Sequence, residues 1–184
     1  MILYLLGKIA GFLVLRLSLG QCYALARVLA CVVYLGWPRG RRRLRENMRY
    51  VLGNDASQKD VDRLAKESLF NYAMYLVDFI RLPSVKPEDI KRRVTLRGWE
   101  NLDEALKEER GAILVGLHSG NWDMVGAAIA QGEYPLNIIG KRNLSAKLNG
   151  FVQRRRLAKG MKTVPTDDME KTRPVMPCAW SLAR

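Results

Sequence analysis

Apolar residues fill most of positions 1–38, without the alternation of a strand. Lys8, Arg16 and Arg27 interrupt them, and Gly20-Gln21 breaks the run. The pattern predicts two helices, over 2–18 and 22–36, ended by Trp37-Pro38. Further on, Val61, Leu64, Ala65, Leu69, Tyr72 and Leu76 recur at helical spacing. They predict one long helix from Gln58 to about Arg81, capped by Ser57. Its aromatic face, Phe70, Tyr72, Tyr75 and Phe79, reads as plain core or as the lining of an acyl pocket. Pro83 and Pro87 mark the exit. Short helices follow over 88–93 and 101–108, with a strand between them at Val94–Gly98.

The pattern then shortens. Ala112–Leu117 is an unbroken apolar run and reads as a buried strand. His118-Ser119-Gly120-Asn121 ends it, and Asn121 can cap a helix from Trp122 to about Gln131. Leu136–Gly140 is a second strand. After it Ser145 can start a helix to about Lys159, turning Leu148, Phe151, Val152 and Leu157 inward. Strands alternating with helices give an α/β fold, with a mixed sheet flanked by helices behind an N-terminal helical region. Segments 1–55, 56–166 and an irregular tail 167–184 divide the chain.

This order gives one stretch a chemical meaning. His118 is the only histidine, and it sits where a strand hands over to a helix N-terminus. A neutral imidazole can take a proton from a hydroxyl, and a helix N-terminus disfavours its charged form. Asp123 falls in the first turn, where a carboxylate is favoured and where it can fix the histidine tautomer. The alternative is a histidine that only satisfies hydrogen bonds at a strand end.

Charge narrows the partners. The 184 residues carry a formal net charge of +13 and are 48% hydrophobic, which excludes disorder and asks for an acidic partner. Six arginines lie within Arg39–Arg49, directly after the apolar region. They fit anionic lipid headgroups on the cytoplasmic side of a membrane. Arg27 argues against a simple second span, so 1–38 reads best as an interfacial or re-entrant anchor, with a buried soluble hairpin as the alternative. Nucleic acid competes for such a cluster, but no interleaved aromatics or nucleic-acid motif accompany it. A second basic stretch, residues 141–162, has eight Lys or Arg and no acid. It suits phosphates or an acidic carrier protein, or is a solvated face. Cys22, Cys31 and Cys178 have no metal or pairing spacing, so neither a metal nor another cofactor is expected.

The segment Leu117-His118-Ser119-Gly120-Asn121-Trp122-Asp123 resembles the signature of the lipid A biosynthesis acyltransferase family. That family includes the lauroyl and myristoyl transferases of lipid A and the related phosphatidylinositol mannoside acyltransferases. The resemblance extends from about residue 5 to about residue 166, through Arg45-Glu46-Asn47-Met48 and Arg156-Leu157-Ala158-Lys159-Gly160. It implies a glycerolipid acyltransferase-like fold at the inner membrane. It also implies transfer of a fatty acyl chain from an acyl carrier protein or acyl-CoA to a hydroxyl of a lipid A-type glycolipid. His118 would be the general base and Asp123 its partner. Arg156 would stabilise the oxyanion or hold substrate phosphate, beside the adjacent Arg154 and Arg155. Arg142, with Lys141 and Asn121, would bind substrate. A phosphatidylinositol mannoside or another phospholipid is the rival acceptor. After Pro165 the family pattern is lost. The expectation is therefore a shortened chain lacking about half the sheet and one wall of the acyl pocket, which puts its activity in question. The alternative is a non-catalytic protein that binds membrane surfaces.

Overall fold

A computed structural model describes residues 11–107, 109–132, 134–141 and 145–166. The chain divides into two compact units, residues 1–81 and 82–184. The fold is α/β but mostly helical, with a two-stranded parallel sheet among the described residues.

The first unit is built from helices. Residues 11–16 are helical, and α1 spans Leu19–Gly36. The break comes at Leu17-Ser18 rather than at Gly20-Gln21, and the reason is local. Ser18 Oγ accepts from Gln21 N–H at 3.3 Å, and Gln21 Oε1 accepts from Ser18 N–H at 2.9 Å. This reciprocal cap outweighs the helix-breaking tendency of Gly20. By length and composition α1 could cross a membrane. Helix α2 spans Pro38–Leu52, its start set by Pro38 at a first-turn position. Helix α3 spans Gln58–Arg81, as its periodicity predicts. The Ser57 hydroxyl accepts from Asp60 N–H at 3.1 Å and caps it.

Helix α3 runs antiparallel to α1. Tyr23 donates to Asp78 at 2.6 Å near one end, and Cys22, Ala26 and Val77 share a core there. Arg81 donates to the carbonyls of Val14 and Leu17, the last turn before the break. These carbonyls have no helical partner of their own, so the guanidinium satisfies them. The aromatic face of α3 is split: Phe79 is buried and Tyr72 is exposed.

In the second unit, α4 spans Pro87–Arg93, α5 Trp99–Leu106 and α6 Trp122–Ala130. Strand β1 (Leu136–Gly140) pairs in parallel with β2 (Met161–Pro165), Leu136 opposite Met161 and Gly140 opposite Pro165. Helix α7, Ala146–Leu157, crosses between them. Gly160, at φ 78°, turns the chain from α7 into β2, a conformation that favours glycine. Helix α6 packs on the sheet through Gly126. A Cβ there would lie 2.8 Å from Met161 Sδ, so any larger residue would make the Met161 side chain shift.

Two expected strands are absent. Residues 94–98 and 112–117 belong to no strand, so the sheet seen among the described residues is parallel rather than mixed. Ile113, Val115 and Leu117 are 91%, 93% and 87% exposed. An apolar run becomes a strand only when a neighbour takes its backbone hydrogen bonds, and no described segment does so here. Leu148 and Leu157 of α7 are also exposed rather than inward. The first ten residues, Arg142, Cys178 and the tail 167–184 lie outside the described residues.

Candidate active site

The site is assembled at the start of α6. Gly111 and Gly120 both take positive φ, 77° and 65°, bracketing the run that leads to it. The side chain of Asn121 then accepts from Met124 N–H at 3.1 Å. This fixes the first turn, as its residue type predicts.

Asp123 is the one buried charged side chain among the described residues, 1% exposed. Arg156, at the last turn of α7, donates to it from Nε at 2.7 Å and from Nη2 at 3.4 Å. Two residues chosen from sequence, 33 positions apart, thus form one buried pair. A buried carboxylate needs such a partner. The fork of a guanidinium supplies two parallel bonds to its two oxygens. The guanidinium expected to stabilise the oxyanion or hold substrate phosphate contacts this carboxylate through Nε and Nη2.

His118 lies on the exposed run just before the helix. Its ring packs against Trp122, 5.0 Å between centroids and tilted by 42°. The sequence marks Trp122 as the start of a helix and as part of the family signature, but no local rule places its ring against His118, which lies before the helix.

The neighbouring arginines are sorted by the helix. Arg154 is exposed. Arg155 lies over the Phe151 ring, 3.4 Å from its centroid. Burial, and then the adjacent Arg154, lower its pKa from the ordinary arginine value. Lys141 follows β1 at its C-terminal end and is exposed. A cavity of about 410 Å³ lies elsewhere, lined by Ile90, Val94, Leu96, Trp99 and Gln131. Gln131 is nine residues along α6 from Trp122, roughly 14 Å at the helical rise. That cavity is therefore not at His118.

The sequence was compared with known families and proteins. Residues 2–173 match the model of the bacterial lipid A biosynthesis acyltransferases. A phosphatidylinositol mannoside acyltransferase of Mycolicibacterium smegmatis is 31% identical over 137 residues, covering 74% of this chain and 44% of the relative. Its counterpart in Mycobacterium tuberculosis is 36% identical over 94 residues, covering 50% of this chain and 29% of the relative. The chain spans less than half the length of these curated relatives. With a match over nearly its whole length, the chain belongs to the bacterial lipid A biosynthesis acyltransferase family.

Proposed function

We propose that the protein transfers a fatty acyl chain from a thioester, on an acyl carrier protein or CoA, to a hydroxyl of a membrane glycolipid. The observation that supports this most is the family match across His118, Asp123 and Arg156, two of which meet in a buried ion pair.

In this reading the His118 imidazole takes the proton of the acceptor hydroxyl. The oxygen attacks the thioester carbonyl and forms a tetrahedral intermediate. Collapse breaks the carbon–sulfur bond, and the thiolate leaves with the proton held by His118. General-base help of this kind contributes about 10²–10⁴-fold. Asp123 supplies the negative charge that favours the imidazolium. Arg156 acts through Asp123, holding its carboxylate ionised and in one orientation. Lys141 and Arg142, after β1, meet the phosphates of the donor. Asn121 caps the first turn of α6, which holds Asp123.

Further features belong to the same reading. Residues 94–98 and 112–117, which the sequence pattern reads as strands, would join a larger mixed sheet of the glycerolipid acyltransferase type. The apolar helix α1 and the arginines that follow it support a location at the cytoplasmic face of the inner membrane.

A second acceptor reading has a specific support. Both relatives described above are named phosphatidylinositol mannoside acyltransferases. Incubation of the native chain and of His118→Ala with acyl-CoA or acylated carrier protein separates the possibilities. Lipid A precursor and phosphatidylinositol mannoside serve as alternative acceptors, and mass spectrometry reads the product. Acylation of one acceptor, lost in the variant, supports the proposal. Equal acylation by both proteins overturns the mechanism.

A further inference from the structure

His118 and Asp123 are held in different ways. Asp123 is buried, and both of its carboxylate oxygens accept from Arg156, Oδ1 from Nε at 2.7 Å and Oδ2 from Nη2 at 3.4 Å. His118 is exposed, and among the described residues no hydrogen bond or ion pair holds its imidazole. What meets its ring is Trp122, at 5.0 Å between centroids and 42° between planes. Trp122 is half-buried and is the first residue of α6. The cap from Met124 N–H to the Asn121 side chain fixes the turn to which it belongs. An exposed histidine without such a contact exchanges among rotamers, and each wrong rotamer takes the base out of proton-transfer reach.

We propose that Trp122 is a positioning residue for His118. Its ring fixes the orientation of the imidazole, and its π-system stabilises the imidazolium that forms when the acceptor hydroxyl gives up its proton. The inference rests on the reading of His118 as general base and names the group that orients it.

The charge argument follows the proton. A cation within about 6 Å of an aromatic centroid is attracted by the ring quadrupole, and tryptophan attracts it most strongly. A neutral imidazole at the same distance gains only the packing of two rings. The contact therefore strengthens as the proton arrives, which is the condition for lowering a barrier rather than only binding. The helix N-terminus acts the other way, because its positive end disfavours the imidazolium. An exposed cation–π contact is of the same size as that penalty, so an indole at the first helical position offsets it where it arises. Asp123 favours the imidazolium by its charge, and Trp122 by contact.

The test compares the native chain with Trp122→Phe, Trp122→Leu and Trp122→Met, all purified without a histidine tag. Phenylalanine keeps a ring face, whereas leucine and methionine do not. All three remove the indole N–H, so what separates them is the ring. His118 is the only histidine, so isotope-labelled histidine gives its ring protons as the only such signals in the NMR spectrum. Ring-current shifts of these protons should be present in the native chain and in Trp122→Phe, and absent from the two ringless variants. With acyl-CoA and the acceptor that the native chain uses, kcat should fall about fivefold in the ringless variants, the upper end for an exposed cation–π contact. It should stay within about twofold of native in Trp122→Phe, with KM unchanged in all three. Equal kcat with and without the ring would overturn the proposal, and a loss confined to KM would assign Trp122 to substrate binding instead. His118 signals that are the same in Trp122→Leu as in the native chain would overturn the contact itself. A native chain that shows the ring-current shift but transfers no acyl group would sink the general-base reading, and with it the catalytic part of this inference, while the ring contact stood.

Discussion

Asp123 and Arg156 illustrate how much one residue's surroundings decide. A carboxylate that is 1% exposed depends on its guanidinium. Arg156→Met should therefore cost about 3–5 kcal/mol of stability, because it leaves a charge buried without its partner. Thermal denaturation checks this, and an unchanged Tm would contradict the pairing. Arg156→Lys should rescue only in part, since an ammonium lacks the planar fork. Asn121→Ala should cost roughly 1 kcal/mol through the lost cap, with acyl transfer reduced no more than folding is. A much larger loss of transfer would return Asn121 to substrate binding. At this scale the sequence was informative about which residues matter and less so about their partners. Asp123 stands out by its place in the first turn of a helix and Arg156 only by the family resemblance, and no local rule pairs a side chain with another 33 positions away.

Among the elements, those with local signals were legible. Helix α3 follows its periodicity, α6 its asparagine cap, and β1 its short apolar run between turns, whereas β2 is expected only from the family resemblance. The runs 94–98 and 112–117 were not, because strand formation depends on a neighbour that the run itself does not specify. Apolar surface as exposed as that of Ile113 and Val115 calls for cover in the working protein. If 112–117 joins a larger sheet, its amides should be protected from hydrogen exchange to the same degree as Ile138 and Ile139. Free exchange would count against the larger sheet. The start of α3 offers a pH test. The Ser57 hydroxyl, and then Arg63, hold the Asp60 carboxyl below its ordinary value. The ionised form is therefore the one the fold favours. Its contribution is present above the ordinary carboxylate range and is lost as pH falls through the lowered value. Asp60→Asn should flatten that acid limb, read from Tm against pH, and an unchanged limb would exclude Asp60.

Taken as one molecule, the chain joins a helical unit with an exposed apolar helix face to an α/β unit that holds His118 and Asp123. The division of labour predicts separable losses. Changes at Arg39, Arg42 and Arg43 should weaken vesicle binding and leave the Asp123–Arg156 pair intact, and changes at His118 should do the reverse. The most direct test of the central claim is acyl transfer by the native chain beside His118→Ala, with matched circular dichroism and vesicle binding. The account predicts transfer by the native chain and a fall of at least about 10²-fold in the variant, the lower end of general-base catalysis. Undiminished transfer by His118→Ala would contradict it.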